Sequence, residues 1–144
     1  MEMQQLQRGR LIDHIQLVVA DLTASRRFYE AVLTALGVRV DFEGDGFFSA
    51  DELVISAKDS EAALGKLTGR VHLAFQAADR GVVDAFHRAG LAAGGSDNGP
   101  PGERSYYPGY YAAFLLDPDG NNIEAVHHGP AQRSAESVTI RFEA

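Results

Sequence analysis

The sequence predicts an α+β fold of tandem βαβββ modules around a shared cleft. Three observations carry this: a gapless internal repeat, an apolar periodicity common to both copies, and a carboxylate that strand parity aligns with two repeat-equivalent histidines. Residues 14–37, HIQLVVADLTASRRFYEAVLTALG, lie over residues 72–95, HLAFQAADRGVVDAFHRAGLAAGG, with eight identities in 24 positions and a constant spacing of 58. The matched pairs include His14/His72, Asp21/Asp79, Phe28/Phe86 and Gly37/Gly95. Three of the eight are alanine pairs, but the Asp, Phe and Gly pairs fall at a helix start, a helix face and a helix stop.

Each copy opens with a short apolar run of period two, Leu11 to Val19 and Val71 to Ala77, which suits a strand. Asp21 and Asp79 then read as helix caps. Phe28, Val32, Leu33 and Leu36 mark the buried face of the first helix, and Val82, Val83, Phe86, Ala89 and Leu91 that of the second. In the first copy, strands are predicted at Val38 to Glu43, Phe47 to Ser49 and Leu53 to Ala57. The second copy is interrupted by GGSDNGPPGERSYYPGY, residues 94–110, read as a Pro/Gly-rich loop, before strands at Tyr111 to Leu116 and Asn122 to His127 joined by an Asp117-Pro118-Asp119-Gly120 turn. One such sheet cannot bury both of its faces, so the two are expected to join around a cleft.

Residues 1–10 read as an N-terminal tail, 11–128 as one domain with modules at about 11–58 and 69–128, and 129–144 as a C-terminal extension. Val138 to Phe142 alternates as a strand able to cover a sheet edge or pair with another subunit.

Composition narrows the function classes. Twenty acidic against 13 basic residues, a net charge of −7, give no broad positive surface, so nucleic acid is not an expected partner. Without cysteine there is no disulfide, thiolate catalysis or Cys-ligated metal. No apolar run approaches the roughly 20 residues of a membrane span, and the opening MEMQQLQRGR lacks the apolar stretch of a secretory signal, so a cytoplasmic protein without membrane contact is expected.

Parity identifies candidate site residues. Ile15, Leu17 and Val19 form the apolar set expected beneath the first helix, leaving His14 with Gln16 and Val18; on the equivalent strand His72 sorts with Ala74 and Gln76. On the last strand Glu124 opposes Ile123 and Ala125. Two imidazoles and a carboxylate on helix-free faces suit a divalent metal. Aligning DELVIS with DGNNIE sets Ser56 opposite Glu124, so three protein ligands would leave an open position, as a catalytic metal requires. Tyr106, Tyr107, Tyr110 and Tyr111 crowd the 94–110 segment and its exit, which suits a lid over a small planar compound; Tyr111 and Tyr107 are the preferred hydrogen-bonding catalytic candidates. Arg104 could meet an anionic substrate, or pair with Glu103. His127 and His128 sit where the strand ends, and His87 reads as a helix residue near the surface, outside the site.

HIQLVVADLTASRRFY (14–29), HLAFQAAD (72–79) and AFLLDPDGNNIEAV (113–126), in this order, resemble the vicinal oxygen chelate superfamily of glyoxalases, bleomycin resistance proteins and extradiol dioxygenases. The resemblance implies a partly open β-sheet barrel with helices outside and a divalent metal in the cleft that chelates adjacent oxygens of a small-molecule substrate. It matches His14, His72 and Glu124 to the two-histidine, one-carboxylate members, which favours Fe(II), with Mn, Ni, Co or Zn as alternatives. Glyoxalase I members commonly carry a further carboxylate where the alignment above has Ser56. The implied activity is that of a metal-dependent dioxygenase or a lyase/isomerase; the alternative is a non-catalytic binding protein of the bleomycin-resistance type. Modules of this kind pair within one chain or across two, and a homodimer is preferred.

Overall fold

The structure, a computed structural model, describes residues 3–8, 11–60, 63, 65–130 and 138–143. Its elements are β1 (Met3–Arg8), β2 (Ile15–Val19), α1 (Leu22–Ala35), β3 (Phe42–Gly44), β4 (Phe47–Ala50), β5 (Leu53–Ala57), β6 (His72–Gln76), α2 (Arg80–Ala92), β7 (Ser96–Glu103), β8 (Tyr110–Leu116), β9 (Asn122–His128) and β10 (Val138–Glu143). Both modules are βαβββ units with the same internal order, β2-β5-β4-β3 and β6-β9-β8-β7. In each, the first strand runs parallel to the last and the remaining pairs are antiparallel.

The repeat works at the level of single atoms. Asp21 accepts from the Ala24 N–H at 3.1 Å and Asp79 from the Val82 N–H at 2.8 Å, so the matched aspartates cap matched helices. Past each helix the chain turns on a glycine at positive φ, +83° at Gly37 and +99° at Gly94, where a side chain would be strained. Phe28 and Val32 of α1 are fully buried, as are Val83 and Phe86 of α2. Gly90 and Gly95 let this core close: a Cβ at Gly90 would stand 2.2 Å from Leu115 Cδ1, and one at Gly95 2.5 Å from the Phe28 ring.

The helices pack on each other, and one apolar core runs through both modules. The two four-stranded sheets are not closed into a barrel, and each helix packs on the sheet of its own module as well as on the other helix. A buried polar link also joins the modules. Tyr29 donates to Asp117, which in turn accepts from the Asn121 N–H at 2.8 Å and Asn121 Nδ2 at 2.9 Å. Burial, followed by the neighbouring Asp117 charge, pushes the Tyr29 hydroxyl pKa far up, so it remains a donor.

Two further differences from sequence have physical causes. The 94–110 segment contains β7, whose register shifts at Asp97/Gly99 and Gly99/Gly102. As an edge strand it tolerates Pro100 and Pro101, and it takes up its irregularity as bulges. The stretch read as a tail supplies β1, which pairs antiparallel with β10 from Met3↔Glu143 to Arg8↔Val138. Its partner lies at the other end of the chain, beyond any local signal. No helix among the described residues is long and apolar enough to cross a membrane.

Candidate functional site

Alternation along the strands builds two opposed faces. On the first module Leu17, Val19, Phe48, Ala50, Leu53 and Ile55 turn into the core. Gln16 and Val18 then share the other face with their ladder partners Val54 and Ser56, with Ser49 and with Phe47. Gln16 Nε2 donates to Ser56 Oγ at 2.7 Å, while Phe42 and Phe47 remain 48% and 38% exposed. On the second module Ile123, Ala125 and Leu115 are fully buried under α2, and Glu124 and Phe114 stand opposite each other on the helix-free face.

Glu124 is the centre of this second face. It is 2% exposed, with Oε1 3.0 Å from His72 Nε2 and Oε2 accepting from the Tyr110 hydroxyl. His72 Nδ1 lies 3.0 Å from the Asn122 carbonyl oxygen. A carbonyl only accepts, so Nδ1 is the donor in that contact, and Nε2 faces the carboxylate across a gap that a proton or a metal ion can bridge. The His72 ring stacks on Phe114, with centroids 6.2 Å apart and planes 26° from parallel.

Tyr110 anchors an aromatic group at the rim. Tyr106 and Tyr107 pack on it with centroids at 5.1 and 6.2 Å, and His128 meets it edge-on at 5.1 Å. Burial raises the Tyr110 pKa, and its bond to the Glu124 carboxylate raises it further, so the hydroxyl keeps its proton.

The other sequence candidates lie apart from this centre. His14 immediately precedes β2 and is largely exposed, with Nδ1 2.7 Å from Asp13 Oδ1. Among the described residues no three His, Asp or Glu side chains form a metal-holding group, so His14 is not brought to His72 and Glu124 within one chain. Tyr111 faces the helix side: its hydroxyl donates to Asp84 Oδ1 at 2.7 Å, and Arg80 lies over its ring at 4.6 Å. Tyr107 is 65% exposed in the rim cluster, where it packs on Tyr110 and His128. The tyrosine at the carboxylate is thus Tyr110. The tight Asp117–Asn121 turn pairs Phe114 with Glu124, and even steps from Phe114 lead to Tyr110, never to Tyr111.

The ladder equates Val54, not Ser56, with Glu124, because Gln16↔Val54 matches Ala74↔Glu124. The motif alignment is offset by two residues, which preserved the face but not the depth along the strand. His87, read as near the surface, is buried, with Nε2 2.8 Å from Asp97 Oδ1. That bond, with one from the Gly99 N–H, holds the Asp97 pKa below the usual carboxylate range.

Fold and site define a two-module α+β protein with an open, carboxylate-centred sheet face. A family model described as the Glyoxalase/Bleomycin resistance protein/Dioxygenase superfamily matches residues 11–125. The chain is 32% identical to a glyoxalase/bleomycin resistance protein from Albidiferax ferrireducens T118, whose crystal structure aligns over 81% of this chain and 98% of that one with a TM-score of 0.66. A glyoxalase/bleomycin resistance protein/dioxygenase family enzyme from Burkholderia phytofirmans PsJN shares the fold at 22% identity, over 81% of this chain and 97% of that one, with a TM-score of 0.64. So does a lactoylglutathione lyase from Agrobacterium tumefaciens, at 22% identity, 83% and 94% coverage and a TM-score of 0.58. No match is found among curated proteins. The chain belongs to the glyoxalase/bleomycin resistance protein/dioxygenase superfamily.

Proposed function

We propose that the chain is a metal-dependent enzyme of the glyoxalase or extradiol-dioxygenase kind, acting on a small molecule with adjacent oxygens, and that two copies build each site. The observation carrying this reading is the His72 Nε2 and Glu124 Oε1 pair at 3.0 Å. A cation held about 2.1 Å from each atom could be accommodated by a pair this close, so His72 and Glu124 would serve as two of its ligands. His14 of the partner subunit would be the third ligand: Asp13 engages its Nδ1 as the Asn122 carbonyl engages that of His72, so in both imidazoles Nε2 is the nitrogen that would face a metal.

Two histidines and one carboxylate favour Fe(II), with Mn, Ni, Co or Zn as alternatives. A bound divalent cation supplies Lewis-acid polarisation of two adjacent substrate oxygens and, as iron, a position for dioxygen. The chain's own residues orient and shield. Tyr110 fixes Glu124 through a proton it does not release, Phe114 holds the His72 ring, and Tyr107 and His128 give a planar substrate an aromatic wall. Support for the dimer comes from the first module's helix-free face, where Phe42 and Phe47 are uncovered. In the proposed dimer that face would meet the second module's helix-free face of another copy.

Mixing His14→Ala and Glu124→Ala dimers tests the composite site. Each variant alone is expected to lose bound metal. After subunit exchange half the dimers are mixed and each of those has one intact site, so about one quarter of wild-type metal returns. A mixture holding no more metal than its parents would contradict the two-copy site. Failure of the wild type to bind any of the five metals on reconstitution would overturn the metal reading in favour of a binding protein.

A second expectation separates the adjacent tyrosines. Tyr110→Phe lowers metal affinity about 10–100-fold, the usual effect of removing a group that orients a ligand. Tyr111→Phe leaves metal affinity alone and costs about 1 kcal/mol of stability, for its bond to Asp84. Metal titration and urea unfolding of both variants check the pair, and equal effects on metal would contradict the assignment.

A further inference from the structure

We infer that Arg104 is an anion-binding group at the edge of the site, selecting substrates that carry a carboxylate beyond the oxygens held at the metal. The inference builds on the site proposed above and rests on a different part of the sheet. Arg104 and Glu103 are adjacent, but β7 sends them to opposite faces. Glu103 stands opposite Tyr111 on the helix side and accepts from Arg80 Nη2 at 2.9 Å. The next step, where the Arg104 N–H donates to the Tyr110 carbonyl at 2.8 Å, puts Arg104 on the face of Tyr110, Phe114 and Glu124. Its neighbour's carboxylate is therefore engaged elsewhere, and Arg104 has no carboxylate partner among the described residues.

The guanidinium is nonetheless held in position. Nη2 donates to the Pro100 carbonyl at 2.7 Å, and Cζ lies 5.3 Å from the centroid of the Phe114 ring. Phe114 stacks in turn on His72, which meets Glu124. Two glycines make room for this posture. A Cβ at Gly102 would be 3.1 Å from Nη1; one at Gly99 would be 3.3 Å from Nη2 and 3.0 Å from Phe114 Cδ2. Among the described residues the guanidinium makes, besides the Pro100 bond, only a long 3.4 Å contact from Nη1 to the Glu103 carbonyl, so most of its five N–H groups remain for a ligand. A planar fork fixed on an aromatic ring and short of acceptors suits a carboxylate. Because Phe114 lies between Arg104 and His72, that carboxylate must be separated from the chelating oxygens by a ring or a short arm.

Two probe sets test this on the full chain. On metal-loaded protein, 3-(3,4-dihydroxyphenyl)propanoate is expected to bind about tenfold or more tighter than catechol, and Arg104→Met to bring that ratio near one while metal content stays at the wild-type level. On metal-free protein, 3-phenylpropanoate, which cannot chelate, is expected to bind measurably by NMR titration, at least about tenfold more weakly to Arg104→Met, and to lose affinity with added salt. Wild-type affinity of Arg104→Met for 3-phenylpropanoate, or an unchanged ratio in the first experiment, overturns the inference. Loss of the metal arm alone, with 3-phenylpropanoate still dependent on Arg104, refutes the metal reading and upholds the anion site.

Discussion

Glu124→Gln is expected to lower affinity for a divalent cation more than 100-fold while moving the melting temperature of the metal-free protein by only about a few degrees. Glutamine keeps the volume of a side chain that is 2% exposed, and its amide oxygen still accepts from Tyr110, so the packing around it survives. What it loses is the negative charge opposite His72 Nε2. Removal of an outer orienting group already costs 10–100-fold in metal affinity, and loss of a ligand should exceed that. His72→Ala also abolishes retention but behaves differently in the fold. It leaves the buried carboxylate with Tyr110 alone, at a cost of about 1–3 kcal/mol. Equilibrium dialysis against Mn or Zn, with thermal melts in chelator, separates the two effects. Wild-type metal affinity in Glu124→Gln would remove Glu124 from the ligand set.

Phe28→Ala is expected to destabilise the protein by about 3–5 kcal/mol and to unfold both modules in one transition. Phe28 has no exposed surface, meets Tyr29 edge-to-face at 5.0 Å, and lies so close to Gly95 that a Cβ there would be 2.5 Å from its ring. It belongs to the first module while Gly95 follows the second module's helix, so the cavity opens where the modules meet. With one core running through both, neither can melt alone. Urea unfolding followed by far-ultraviolet dichroism and by tyrosine fluorescence should give coincident transitions. Two separated transitions would show that the modules do not form one cooperative unit.

The sequence made the repeat readable because 58-residue spacing ties side chains that do the same work in both copies, as the Asp21 and Asp79 caps demonstrate. Parity also placed His72 and Glu124 on one face, since alternation is a local property of a strand. Other features depend on pairings that no local pattern carries. β7 hid behind Pro100 and Pro101, which read as a loop until the strand is known to lie at an edge. The match of Val54 to Glu124 emerged only from the ladder. Tyr110 was legible in principle, because counting back from the Asp117 turn selects it over Tyr111; reading the tyrosines as one crowded lid obscured that count. How the two modules sit together, and so whether His14 meets His72 within one chain, is a matter a repeat alone leaves undetermined.

The two bulges of β7 have an evolutionary consequence. Glu103 and Arg104, like Tyr111 and Tyr110, are neighbours serving opposite sides of one sheet, so a single residue gained within β8 would rotate the site's groups into the core and the core's groups outward. At Asp97/Gly99 and Gly99/Gly102 the ladder already skips, and an edge strand has no outer neighbour to disturb. Length drift is absorbed there without rotating Arg104, Tyr110 or Phe114. The outermost strand can therefore diversify in size and shape around an unchanged carboxylate, which is a route by which one scaffold acquires new substrates.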